Sequence, residues 1–108
     1  MTLDIDITAE QFAIVSDILE RYLPPGATVW AFGSRATHTA KKSSDLDLVV
    51  DHQGTPLTLF EESVLKEAFD NSLLPFKVDI VDWSSISDSF KQLIQGQRIR
   101  IFSKGIIS

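Results

Sequence analysis

Two acidic residues and an upstream glycine–serine pair are the residues whose types and spacing could do chemistry. Asp45 and Asp47 are separated by one residue, and a strand would place both carboxylates on the same side, ~6.6 Å apart. Carboxylates at that separation can bracket a pair of hard divalent cations, which prefer oxygen ligands. Gly33 and Ser34 follow an apolar segment, where a glycine lets a ligand approach the backbone and N–H groups at a helix start attract phosphate. The pattern predicts a metal-assisted phosphate site.

A third carboxylate is expected from a later apolar segment. Asp79 lies between Val78 and Ile80 in a stretch otherwise suited to a buried strand. A strand next to the Asp45–Asp47 segment would lie only ~4.8 Å away, so the carboxylates would converge on one site. Asp82 is an alternative third ligand, although its position at the strand end favours a role in a turn.

Other polar residues are open to more than one interpretation. Asp4 and Asp6 repeat the Asp-x-Asp spacing, but no Gly-Ser pair precedes them and a helix cap follows, so a solvated segment is expected. Ser34 is interpreted as a phosphate-binding hydroxyl rather than a nucleophile, because no histidine or aspartate is evidently paired with it. Arg35 is a candidate phosphate contact, and a solvated basic loop explains it equally well.

The elements that must position these residues alternate between helices and strands. Thr8 and Gln11 have the spacing of a capping box, and the helix they begin is stopped by the Pro-Pro-Gly segment at 24–26. Hydrophobic periodicity then predicts strands at 28–32, 45–50, 76–81 and 99–102, one helix from the Thr55–Pro56 start and another at 85–95. The polar residues 35–42 are expected to form a short helix followed by a loop. This order is typical of an α/β (α+β) fold in which helices pack on a small mixed β-sheet.

Composition limits the remaining possibilities. A chain of 108 residues is expected to form a single domain spanning 1–108. It has no cysteine, which excludes disulfides, zinc–thiolate sites and cysteine nucleophiles. A net charge of −5 argues against strong nucleic-acid binding, which depends on basic surface. The sequence shows no signal-peptide pattern and no apolar stretch long enough for a membrane, so a cytoplasmic location is expected.

The motif resembles a known signature. Gly33-Ser34, ten intervening residues and then Asp45-x-Asp47 are similar to the signature of the DNA polymerase β-like nucleotidyltransferase superfamily. The segments 32–36 and 44–48 resemble its minimal, single-domain members, and 77–81 resembles the strand that carries the third carboxylate. One departure is that Thr37-His38 stands where many relatives have Arg-Gly.

The resemblance implies an NTP-dependent nucleotidyltransferase with the polymerase β-like fold. Asp45, Asp47 and Asp79 would be catalytic and would hold two Mg²⁺ ions, while the turn at 33–35 (Gly33, Ser34 and Arg35) would bind the nucleotide phosphates. Minimal members are often paired, as antitoxins, with a helical HEPN-type toxin. The expected reaction is therefore transfer of AMP from ATP to a hydroxyl group of such a partner. The alternative is a non-catalytic module that neutralises its partner by contact. The sequence leaves open which NTP is used and whether the chain forms a homo-oligomer.

Overall fold

The structure is a computed structural model, and it describes residues 4–105. These residues form helices and strands in the order α1 (Ala9–Tyr22), β1 (Thr28–Phe32), β2 (Leu46–Asp51), α2 (Leu59–Asp70), β3 (Val78–Asp82), α3 (Asp88–Gln95) and β4 (Ile99–Ser103). A single turn of 3-10 helix, Trp83–Ser85, joins β3 to α3. No helix in the described range is long and apolar enough to cross a membrane.

The four strands form one mixed sheet in the order β3-β2-β1-β4. β1 pairs antiparallel with both β2 and β4, whereas β2 and β3 are parallel. The parallel pair follows from α2, because two parallel neighbours need a crossover connection and a helix of 12 residues provides one. The predicted fold class, a small mixed sheet with helices packed on it, is confirmed.

The two faces of the sheet are covered by different helices. α1 and α2 pack on one face, where they bury most of the core residues of the sheet: Val29, Ala31, Leu46, Leu48, Val50, Val78 and Ile80. α3 covers part of the other face, on which Ile94 and Phe90 pack against Phe32 and Val49. Since successive strand residues point to opposite faces, the odd-numbered positions of β2 and β3 lie on the α3 side.

Of the short helix and loop predicted within 35–42, the helix is wrong and the loop is present. The chain makes one turn at this point, in which the Thr37 N–H donates to the Gly33 carbonyl (3.1 Å) and the Thr39 N–H donates to the Ser34 carbonyl (2.9 Å). His38 then adopts a φ of 60°, in the left-handed region that cannot continue a right-handed helix. The polar residues that follow form a loop that leads into β2.

The two later helices begin further along the chain than predicted. α2 follows Thr58 rather than the Thr55–Pro56 pair, because only Thr58 has a glutamate three residues later. Its hydroxyl accepts from the Glu61 N–H (3.0 Å) and its own N–H donates to the Glu61 carboxylate (2.8 Å), which completes a capping box. α3 begins at Asp88, after Ser87 has accepted a hydrogen bond as its N-cap, because the 3-10 turn occupies the preceding residues.

Candidate active site

Two of the three predicted carboxylates stand side by side in the sheet. Asp47 of β2 and Asp79 of β3 are paired positions of the parallel ladder, where neighbouring strands are ~4.8 Å apart. Both side chains lie on the α3 side and are half-buried. Asp45 comes immediately before β2 and is exposed. The structure therefore brings Asp45, Asp47 and Asp79 to one corner of the sheet.

Asp47 is the carboxylate of this corner whose pKa is raised. Burial raises the pKa of the Asp47 carboxyl, and the negative charges of Asp79 and Asp45 raise it further. Asp79 has a partial counterion in Lys77, whose Nζ lies 3.4 Å from the Asp79 Oδ1. Lys77 is exposed and Asp79 is still accessible to water, so solvent screens their attraction. The corner retains an excess of negative charge that a cation would relieve.

The donor set suits a hard divalent cation. All three side chains are carboxylates, the ligands that Mg²⁺ and Ca²⁺ prefer. The pKa of Asp47 is raised by burial and further by repulsion from Asp79 and Asp45, and a bound cation would offset that repulsion. Within residues 4–105, no group of three or more acidic, histidine or cysteine side chains is already gathered into a metal-binding cage. Asp45 is exposed and Asp79 is paired with Lys77. The site is thus an open carboxylate cluster.

The predicted glycine turn lies directly against this cluster. Phe32, the last residue of β1, pairs with Asp47, so the next residue, Gly33, leaves the sheet beside the Asp47 side chain. Gly33 has a φ of +75°, and a Cβ built on it would overlap the Asp47 Oδ2 atom. The position therefore requires glycine for its backbone conformation and also for the space that Asp47 fills. Sequence reasoning assigned this glycine to phosphate approach alone and missed the contact with Asp47.

Gln97 contacts the same turn and had no role assigned from sequence. Its side-chain oxygen accepts a hydrogen bond from the Gly33 N–H at 2.5 Å, across a sequence separation of 64 residues. A single glutamine at that distance along the chain gives no signal in the sequence. Ser34, the next residue of the turn, is half-buried, and its carbonyl accepts from the Thr39 N–H.

The Arg35 side chain, a predicted phosphate contact, is bonded to backbone oxygens in the structure. Its side chain is buried, and its guanidinium donates to the backbone carbonyls of Asp6 (2.7 Å) and Ser44 (2.8 and 3.0 Å). The same group lies over the Phe76 ring, 4.2 Å from the ring centroid. These contacts join the N-terminal segment to the end of the loop that precedes Asp45. In the structure Arg35 holds the loop, since its donors are directed at backbone oxygens.

Asp82, the alternative third ligand, also has a structural role. It is buried on the side of the sheet that faces α2, three residues beyond Asp79. Its carboxylate accepts from the Leu57 N–H (2.8 Å) and from the Ser84 N–H (3.0 Å). These bonds fix the segment before α2 and the start of the 3-10 turn. Asp79 is consequently the aspartate of β3 that joins the carboxylate cluster.

Comparisons with known proteins show the family to which this chain belongs. A family model described as a nucleotidyltransferase domain matches residues 13–108, a range that includes the glycine turn and all three carboxylates. A Haemophilus influenzae protein named "Probable protein adenylyltransferase MntA" is 47% identical over 91 residues. That alignment covers 84% of this chain and 78% of the relative.

Solved structures have the same fold. One chain of a toxin–antitoxin complex with AMP-PNP matches 90% of this chain and 75% of its own length, with a TM-score of 0.71 and 24% identity. A complex of a tri-AMPylated Shewanella oneidensis HEPN toxin with an MNT antitoxin matches 82% of this chain and 66% of its own, with a TM-score of 0.61 and 22% identity. At such identities the likeness shows a shared fold.

Proposed function

Because this chain belongs to the nucleotidyltransferase domain family, we propose that it transfers AMP from ATP to a hydroxyl group of a partner protein. The observation that carries the proposal is the Gly33 turn packed against Asp47, with Asp79 paired to Asp47 in the next strand. The relative named as a protein adenylyltransferase supports AMP as the transferred group. The toxin–antitoxin complexes among the solved structures support a HEPN-type toxin as the acceptor and this chain as its antitoxin. A cytoplasmic location belongs to the same proposal.

The carboxylate cluster has the main catalytic role in this proposal. Asp45, Asp47 and Asp79 would hold Mg²⁺, which fits their chemistry and would offset the repulsion at Asp47. When bound, two Mg²⁺ ions would supply charge stabilisation for the attacking and leaving oxygens of the phosphoryl transfer. Asp79 also assists removal of the proton from the acceptor hydroxyl.

The glycine turn supplies the phosphate contacts. The turn formed by Gly33 and Ser34 binds the β- and γ-phosphates, with the Ser34 N–H and hydroxyl as donors, since Gln97 already accepts from the Gly33 N–H. The acceptor oxygen forms a bond to the α-phosphorus while the bond to the β-phosphate oxygen breaks, and pyrophosphate leaves. Positioning and charge neutralisation account for most of the rate gain in such a reaction.

Mass measurement of the partner tests the proposal. The product of the gene next to that of this chain is identified and incubated with the chain, Mg²⁺ and ATP, and its intact mass and toxicity are then measured. We expect a gain of one or more AMP groups with the wild type and none with the Asp45→Asn/Asp47→Asn double variant. Full neutralisation by the double variant, with no mass change in either sample, would instead establish the contact-only module.

A further inference from the structure

A side chain in the connection between α3 and β4, that of Gln97, accepts a hydrogen bond from the glycine turn. β1 and β4 pair with Ala31 opposite Ile99, and continuing that register by two residues places Gln97 opposite Gly33. The strand pairing ends at Ile99, however, because the chain turns away there towards α3. Beyond Ile99 the Gln97 side chain takes the place of a backbone partner, since its oxygen accepts a hydrogen bond from the Gly33 N–H at 2.5 Å.

The backbone that carries Gln97 is held on both sides. The Gln97 and Arg98 N–H groups both donate to the carbonyl of Ile94 (3.0 and 2.8 Å), a fully buried residue. The Arg98 guanidinium lies over the rings of Trp30 and Trp83, at 4.4 and 5.1 Å from their centroids, which are favourable cation–π distances. The Gln97 amide is therefore presented to the turn from a fixed support.

Gly33 is held at its N–H and at its carbonyl. Its carbonyl accepts from the N–H groups of Ala36 and Thr37, both at 3.1 Å, while Gln97 accepts from its N–H. A glycine has a wide range of backbone conformations, so fixing both ends restricts it to the observed φ of +75°. The same restriction sets the direction in which the following N–H, that of Ser34, can point.

We propose that Gln97 is a positioning residue for the phosphate-binding turn. Its side-chain amide fixes Gly33, so that the turn meets the nucleotide triphosphate already in its binding conformation and less ordering is needed on binding. This inference rests on the proposed function, because it takes the turn at Gly33 as the site for the phosphates. In this role Gln97 acts through Gly33 and does not itself contact the reacting atoms.

The test removes the acceptor while preserving side-chain length. Gln97→Met deletes the hydrogen bond but keeps an unbranched side chain in the half-buried position, and Gln95→Met makes the same change at an exposed site at the end of α3. We expect the Kd for Mg²⁺ and AMP-PNP, measured by calorimetry, to rise roughly two- to tenfold in Gln97→Met, the effect of one net hydrogen bond. Gln95→Met should bind as the wild type does.

Amide NMR separates a local effect from a change in overall stability, because lower stability speeds exchange at many protected amides and loss of this bond speeds it at Gly33. In the free wild type the Gly33 N–H should exchange slowly with solvent, and in Gln97→Met it should exchange faster and shift upfield. Gln97→Glu retains an acceptor oxygen and should keep the Gly33 amide protected.

Three results separate the possibilities. Equal nucleotide affinity in a folded Gln97→Met protein, or an unprotected Gly33 amide in the free wild type, would overturn the inference. Tighter binding by Gln97→Met would also overturn it, because Gln97 would then compete with phosphate for the N–H. If the wild type and Gln95→Met both fail to bind Mg²⁺ and AMP-PNP, the proposed function is wrong, and the amide measurement still decides whether Gln97 fixes the turn.

Discussion

Substitutions at two glycines with nearly the same φ can distinguish the effect of backbone strain from the effect of displacing Asp47. Gly33 has a φ of +75° and Gly54 a φ of +76°. A Cβ at Gly33 would overlap the Asp47 carboxylate, whereas a Cβ at Gly54 would have no atom within 4 Å. Gly54→Ala is therefore a matched control for Gly33→Ala, because both variants strain the backbone but only one displaces Asp47.

The structure sets the expected magnitudes. A non-glycine residue in the left-handed region costs roughly 1–2 kcal/mol, so both variants should lose at least about 1 kcal/mol of unfolding free energy. In a domain of this size that corresponds to a fall in melting temperature of about 4 °C. Gly33→Ala should lose a further ~0.5–1.5 kcal/mol if Asp47 is forced out of its preferred rotamer. The two variants should thus differ only modestly in stability.

Nucleotide binding should distinguish them clearly. Moving the Asp47 carboxylate disturbs the cation site and the phosphate turn together, and we expect the Kd for Mg²⁺ and AMP-PNP to rise roughly 10- to 100-fold in Gly33→Ala. Gly54→Ala should retain wild-type affinity. Calorimetric titration, with melting curves recorded by circular dichroism, measures both quantities on the same samples. Wild-type affinity in a folded Gly33→Ala protein, or an equal loss in Gly54→Ala, would refute the reasoning.

Three further predictions concern the aspartates. The pKa of Asp47 is raised in the folded state, so its charge destabilises the metal-free fold above the carboxyl range; Asp47→Asn should gain about 1 kcal/mol at pH 7, a gain that should vanish in melting curves as the pH falls through that range. Asp45→Asn/Asp47→Asn should lose the Mg²⁺ dependence of AMP-PNP affinity, and calorimetry showing an unchanged dependence would remove these residues as metal ligands. Asp82→Asn should cost roughly 1–3 kcal/mol in urea unfolding with the Kd for Mg²⁺ and AMP-PNP unchanged; a loss of metal-dependent binding would reinstate it as the third ligand.

The sequence was informative wherever a local rule decides the outcome. The alternation of leucine and aspartate in 45–50 predicts a strand with its leucines and carboxylates on opposite sides, and β2 has Leu46 and Leu48 in the core and Asp47 on the other face. Asp45 lies just before the strand. The capping box of α1 was likewise predicted from Thr8 and Gln11 and is present in the structure. The later start of α2 could have been predicted by the same rule, since Thr58 and Glu61 have the box spacing that Thr55 lacks.

The contacts missed from the sequence join residues through backbone atoms or across long separations. Arg35 was interpreted as a phosphate contact because side-chain charge is visible in a sequence, whereas the carbonyls of Asp6 and Ser44 to which it donates are present at every residue. The segment around Asp6 was expected to be solvated because its side chains are charged. In the structure the Asp6 N–H donates to the Arg35 carbonyl at 2.8 Å. No local pattern encodes such pairings, which depend on how the sheet brings distant segments together.

The spacing of the signature follows from the fold as much as from the chemistry. The antiparallel pairing of Phe32 with Asp47 places the first residue after β1 against the first carboxylate within β2, so Gly33 and Asp47 meet only if the loop between the strands returns in register. Arg35 enforces that return, because its guanidinium holds the carbonyl of Ser44, the residue just before Asp45. The ten residues between Ser34 and Asp45 therefore form a loop that the buried Arg35 holds in place. Through the carbonyl of Ser44, Arg35 sets the position of the exposed Asp45 relative to the Gly33 turn.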